Sequence, residues 1–239
     1  MTRSDRTAPD LPIIERYDRT PAAVPASCDF LAFLRTFAHR HGALLIFDEI
    51  ISFRVGPHGA QGVVAVRPDL TTLGKVIGGG YALAAFGGRA DVMDLFDARR
   101  AGSISHRGTF NGNPVAAAAG LATLRELTPD VFARLDALGE RLRAKVGGAI
   151  GRDGVDGVDG RIAVVGSLFQ VWSGEGVSAV ATGAGDVPEL FLGLLLDGFY
   201  VAPRGMGAIP AIATESDVDD LAAAIGRALL ARQLVAQGA

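Results

Sequence analysis

The chain has 239 residues, 49% hydrophobic and 21% charged, with 23 basic against 26 acidic side chains and a net charge of −3. That is enough apolar material for one large domain or two modest ones, and it excludes a disordered chain. No stretch concentrates arginine with interleaved aromatics, so nucleic acid is not an expected partner. The longest apolar runs, such as 43–47 and 191–196, fall far short of the roughly 20 residues that a membrane span needs.

A lone cysteine, Cys28, rules out an intrachain disulfide framework, and residues 1–10 are polar with no apolar signal core. A reducing cytoplasm is the expected location. Residues 11–14 read as a short strand with Pro12 at its edge. Ser27 is a helix N-cap, Phe30, Leu31, Leu34, Phe37 and Ala38 recur at helical spacing, and Gly42 ends the helix. Residues 43–47 form a continuous apolar run, as expected of a parallel strand buried on both faces. It ends at Asp48-Glu49, which places two carboxylates at the carboxyl end of a core strand, where open α/β sheets bind ligands. Residues 69–73 and 84–87 read as further extended pieces. Asn113-Pro114 opens a helix that runs until Thr128-Pro129, and a second helix carries Phe132, Leu135, Leu138, Leu142 and Val146 on one stripe. A turn-rich stretch over 151–160 follows, and then an α/β pattern: a strand over 162–172, a helix over 187–196, a strand over 199–202 and a final helix capped at Ser216, with Asp219 three residues on. The domain boundary is placed between Leu127 and Asp130, giving domains of residues 1–128 and 129–239.

Only two lysines stand against 21 arginines, and one of them, Lys75, sits in the glycine-rich run Leu73-Gly74-Lys75-Val76-Ile77-Gly78-Gly79-Gly80. A solvated surface cation there could be arginine as elsewhere. An amine that must shed its proton and attack a carbonyl cannot be a guanidinium. Lys75 is therefore the candidate nucleophile; the alternative is a surface lysine in an arginine-biased chain. Val76 stands where a phosphate-binding P-loop needs Ser or Thr, which excludes that motif.

Four blocks taken in order carry a more specific signal: Leu44-Leu45-Ile46-Phe47-Asp48-Glu49-Ile50-Ile51-Ser52-Phe53-Arg54, Gly59-Ala60-Gln61, Pro68 through Gly80, and Gly108-Thr109-Phe110-Asn111-Gly112-Asn113-Pro114. With them the chain resembles the carboxy-terminal part of the fold-type I, pyridoxal-phosphate-dependent class III aminotransferases, in their glutamate-1-semialdehyde aminomutase-like branch. The resemblance implies an α/β fold. Residues 1–128 would be the second half of a cofactor-binding large domain with a mostly parallel sheet, and 129–239 a small α/β domain. It implies an aminotransferase or aminomutase in which Lys75 holds pyridoxal phosphate as a Schiff base and then shuttles the proton. It further implies that Asp48 pairs with the pyridine nitrogen, that Ile50 packs on the ring, and that Gly108 and Thr109 bind the cofactor phosphate of a neighbouring subunit. A homodimer and small-molecule amino donors and acceptors follow. Gln61 lies in a matching block without an assigned role.

Departures accompany the likeness. Tyr81-Ala82-Leu83-Ala84 replaces the family's Pro and Gly after the three glycines, and the loop at 15–21 differs. Family members also carry an amino-terminal half with a phosphate loop and a stacking aromatic that this sequence does not match. A truncated, non-catalytic relative, or one part of a split enzyme completed by another chain, is thus the alternative function. Arg54 and Arg204 are candidate carboxylate ligands or structural ion pairs. His39 and His41 do not share a helix face and have no cysteine neighbours, so no metal site is expected. His106 precedes the Gly108 loop, and Cys28 is read as a packing residue.

Overall fold

In a computed structural model of the chain, residues 13–15, 26–64, 66–150, 160–173 and 188–237 are described. They divide into two compact units, one drawn from 13–15, 26–53 and 57–127, the other from 54–56 and 128–237.

The first unit is built on a four-stranded sheet of β1 (Ile13–Glu15), β2 (Ile46–Asp48), β3 (Leu70–Leu73) and β4 (Ala85–Gly88) in that spatial order. β1 and β3 pair parallel with β2, and β4 runs antiparallel on β3. All three β2 residues are buried, as the unbroken apolar run requires, although the strand itself is only the last part of 43–47 plus Asp48. Helix α1 (Cys28–Arg40) begins where the Ser27 hydroxyl accepts from the Phe30 N–H, and its Leu31 and Ala38 pack with Leu45, Phe47 and Val64. Leu34, partly buried, packs against this cluster, but the α1 rings do not: Phe30, Phe33 and Phe37 remain about half exposed. A short helix, α2 (Ala90–Met93), follows β4, and α3 (Pro114–Glu126) opens with Asn113 accepting from the Val115 and Ala116 amides.

The second unit has a helical layer over a three-stranded antiparallel sheet. Its core is the α4 stripe (helix Pro129–Ile150) of Leu135, Leu138, Leu142 and Val146. These pack with Phe169, Leu190, Leu194 and the apolar face of the last helix. The strand expected over 162–172 is two strands. β5 (Gly160–Val165) turns at Gly166-Ser167 into β6 (Leu168–Ser173), with Gly166 at φ 56°, the conformation that a two-residue hairpin turn demands. Helix α5 (Pro188–Leu196) follows. No strand forms over 199–202; instead the chain turns through Gly205 and pairs as β7 (Met206–Ala208) against β6. The final helix, α6 (Glu215–Gln237), is capped by Thr214 rather than Ser216: Thr214 Oγ1 accepts from the Asp217 N–H, and the Asp217 carboxylate accepts from the Thr214 N–H at 2.8 Å. Residues 151–159 of the expected turn-rich stretch lie outside the described residues. No described helix is long and apolar enough to cross a membrane.

Candidate active site

Parallel pairing of β2 with β3 sets the geometry. Asp48, the last residue of β2, lies opposite Thr72, and the Glu49 N–H donates to the Thr72 carbonyl at 2.9 Å. Lys75 is three residues beyond Thr72, at the same carboxyl edge of the sheet. Asp48 is 8% exposed, and one of its carboxylate oxygens accepts from the Ile50 N–H at 3.0 Å, which locks the acid to the turn that leaves the strand. Ile50 in turn lies over Gly74: a Cβ added to that glycine would sit 3.4 Å from the isoleucine side chain. Asp48, Ile50 and Lys75 thus lie at the carboxyl ends of two neighbouring strands.

Lys75 differs from the second lysine in two respects. Lys145 pairs with Asp219 at 3.1 Å, whereas the exposed Lys75 amine has no hydrogen-bond or ion-pair partner among the described residues. Lys75 is also the one non-glycine described residue at positive φ, 49°. A left-handed conformation outside glycine is strained and is kept where surrounding structure over-determines it. What holds it is the 3-10 turn Lys75–Gly78 packed on α3. Gly79 and Gly120 permit this close approach, since a Cβ on Gly79 would fall 2.4 Å from the Ala119 carbonyl and one on Gly120 would fall 2.2 Å from the Ile77 carbonyl. Near Asp48, the buried Thr72 hydroxyl has no hydrogen-bond partner, an unmet polar group at the same strand ends.

Gly108 and Thr109 lie in an exposed turn, closed by the Asn111 N–H on the Gly108 carbonyl at 3.1 Å, that leads into the N-terminus of α3. No hydrogen bond joins them to Asp48 or Lys75 among the described residues. His106 stands edge-on to Phe86 and Phe96, with centroids 5.2 and 6.3 Å away, as part of an aromatic cluster. His41 stacks on Phe37 and contacts its carbonyl at 2.8 Å, and no cluster of metal-ligand side chains occurs among the described residues.

Two expectations change. Arg54 does not form an ion pair: its Nε donates to Ser167 Oγ and its Nη2 to the Ile209 carbonyl, both at 2.9 Å, and burial pushes the guanidinium below its ordinary pKa. The Nε–Nη2 side of its fork is therefore occupied inside the second unit. Cys28 is exposed and packs in no core. Arg204 is exposed, and its guanidinium has no partner among the described residues.

Sequence reasoning gave no role to two buried acids. Glu49, 1% exposed, accepts from the Ser52 hydroxyl, from the Ala60 N–H at 2.9 Å and from the Gln61 N–H at 2.6 Å. Asp69, 3% exposed, accepts from the Leu45 N–H at 2.7 Å and pairs with Arg35 at 2.8 Å and Arg89 at 3.0 Å. Burial raises the pKa of Asp69, but the Leu45 amide and the two arginines outweigh it and hold the carboxyl below its usual range. The legible signal for either was an acid beside an apolar run with no basic residue at helical spacing.

Comparison with known proteins places this arrangement. Residues 15–170 match the family described as aminotransferase class-III, and the chain belongs to that family. It is 40% identical over 233 residues to the β-phenylalanine transaminase of Variovorax paradoxus, covering 93% of this chain and 52% of that protein. With the glutamate-1-semialdehyde 2,1-aminomutase of Limosilactobacillus reuteri it shares 48% identity over 125 residues, 52% of this chain and 28% of the relative. Among solved structures, an ω-transaminase from Sphaerobacter thermophilus superposes with a TM-score of 0.83 at 35% identity, covering 91% of this chain and 51% of that one. A transaminase with PLP bound does so with a TM-score of 0.81 at 34% identity, covering 95% and 52%. The chain thus has the α/β fold of these transaminases over the part it matches, and it spans about half the length of the first two curated relatives.

Proposed function

We propose that the chain carries the lysine-bearing part of a pyridoxal-phosphate-dependent aminotransferase or aminomutase, moving an amino group between small amino and carbonyl compounds or within one molecule, in the cytoplasm. The observation that carries this reading is the placement of Asp48 and of Lys75, whose amine has no partner among the described residues, at the carboxyl ends of adjacent parallel strands. The residues present suit the cofactor: a buried acid at a strand end, an amine with no partner among the described residues three residues past the neighbouring strand's Thr72, and an unmet hydroxyl on Thr72 itself. When bound, pyridoxal phosphate supplies an electron sink for the carbanion formed next to the substrate nitrogen. Lys75 would be the residue that holds the cofactor's aldehyde end, and its amine would carry the substrate proton. Asp48 would pair with the ring nitrogen, and Ile50 would pack against the ring. Gly108 and Thr109 would bind the phosphate of the neighbouring subunit's cofactor, which would make the working unit a homodimer.

The test is a visible absorbance titration of the purified chain with pyridoxal phosphate, beside Lys75→Ala. A band that needs Lys75 and shifts on adding an amine donor is the expected result; a band that persists in the variant, or none, would overturn autonomous chemistry. The exposed α1 rings Phe30, Phe33 and Phe37 favour a second reading: the chain is a non-catalytic relative or one part of an enzyme completed by another polypeptide, and the band is absent until that polypeptide is added.

A further inference from the structure

We infer that Glu49 is a positioning residue that fixes the Asp48 carboxylate relative to Lys75, an inference that rests on the aminotransferase reading of the site. Glu49 sits between the two sides of that site in the backbone. Its N–H is tied to Thr72, three residues before Lys75, and its neighbours on either side are Asp48 and Ile50, themselves joined by the Ile50 N–H on the Asp48 carboxylate. Its side chain is buried from solvent and pairs with no cation among the described residues. Oε2 accepts from the Ser52 hydroxyl and the Ala60 N–H, and Oε1 accepts from the Gln61 N–H. Every partner of this carboxylate among the described residues is a donor, and a carboxylate has an acceptor oxygen for each of them. Charge-assisted bonds to backbone amides in a buried setting are the strong kind.

The partners eleven and twelve residues downstream are backbone groups of the Gly59-Ala60-Gln61 block. Gly59, at φ 67°, leaves room for the carboxylate, because a Cβ there would fall 3.0 Å from it. The Gln61 side chain closes the circuit by accepting from the Thr71 hydroxyl at 3.3 Å, next to Thr72 on β3. Glu49 therefore ties the segment after β2 back to β3 twice, through its own N–H and through Gln61. Glutamine cannot replace it. An amide has one acceptor oxygen, and its NH2 would confront either the Ala60 or the Gln61 N–H.

The test compares the wild-type chain with Glu49→Gln by NMR amide exchange without ligand, and by pyridoxal phosphate titration. Expected are exchange about tenfold or more faster at Ala60, Gln61 and Ile50, unchanged protection at Phe47, and cofactor affinity about tenfold weaker with the Lys75-dependent band retained. Ser52→Ala, which removes one donor and leaves the acid, should give the same pattern to a smaller degree if the glutamine variant does not fold. Faster exchange at 60 and 61 with Ile50 unchanged would overturn the inference, since Glu49 would then hold only its own turn. Uniformly faster exchange through the sheet would overturn it as well. If the wild-type chain gives no Lys75-dependent band, the aminotransferase reading fails separately, and exchange at Ile50 still decides whether Glu49 holds Asp48.

Discussion

A left-handed backbone at Lys75 makes the residue's side chain and its main chain separable by substitution. Alanine removes the amine and keeps the strain, whereas glycine removes both. At ordinary positions glycine is less stable than alanine by roughly 0.5–1 kcal/mol, through the entropy of the unfolded chain. At φ 49° the order should close or reverse. Urea midpoints are expected to place Lys75→Gly at or above Lys75→Ala; a glycine variant weaker by the usual margin would mean that the turn does not hold this conformation. Asp69 is the opposite kind of residue, one acid joining the Leu45 amide, α1 through Arg35 and the end of β4 through Arg89. Asp69→Ala leaves a buried amide without its acceptor and takes one partner from each of two cations, Arg89 keeping Asp91 and Arg35 the Arg67 carbonyl. It should cost about 2–3 kcal/mol, less than a fully buried pair because both arginines reach solvent. A loss within 0.5 kcal/mol would demote Asp69 to a surface pair.

Between elements, the α4 and α6 helices combine an apolar seam with a polar rim. Leu142 is fully buried in the middle of the seam, so Leu142→Ala should lose roughly 2–5 kcal/mol in denaturant unfolding. On the rim, Asp219 accepts two bonds from Arg141, at 2.7 and 2.8 Å, and one from Lys145. Arg141 foremost holds the Asp219 carboxyl down to about 2. A depressed acid stabilises the fold fully above its unfolded value, near 3.9, and loses that contribution as the pH falls through the folded value. Acid unfolding should therefore steepen between about pH 4 and 2, and Asp219→Asn should flatten that limb while leaving the dependence above pH 5 unaltered. The helices of both units were legible because caps and 3.6-residue periodicity are local signals: Ser27, Asn113 and the 135–146 stripe all stand as read. The β5–β6 hairpin was not, since both strands are apolar and its turn is only Gly166-Ser167. Asp48 and Lys75 could be picked out by a strand end and by lysine scarcity. Glu49 carried only the weak signal of an acid beside an apolar run, and its role could not be read, because its partners at 60 and 61 are backbone amides, which leave no mark in the residue types.

At the scale of the whole molecule, several large apolar side chains stand on the surface. Phe33 is 59% exposed, Phe110 77%, Leu196 78% and Ile212 89%, and the α1 row of Phe30, Phe33 and Phe37 presents three rings at helical spacing. Apolar surface of this extent marks sites of association in soluble proteins, in keeping with the proposed homodimer or completing chain. Burying one phenylalanine side chain contributes about 1.5–3 kcal/mol, enough at two positions to move an association constant by several powers of ten. Sedimentation velocity at low micromolar concentration should find the wild-type chain larger than a monomer. Phe33→Ser combined with Phe37→Ser should shift it toward the monomer without lowering the urea midpoint, because neither ring belongs to the buried cluster of Leu31, Ala38, Leu45, Phe47 and Val64. If the double variant sediments as the wild type does, the α1 face is not the interface. If it instead loses its fold, the rings support the unit itself, and their exposure has to be reassigned to packing.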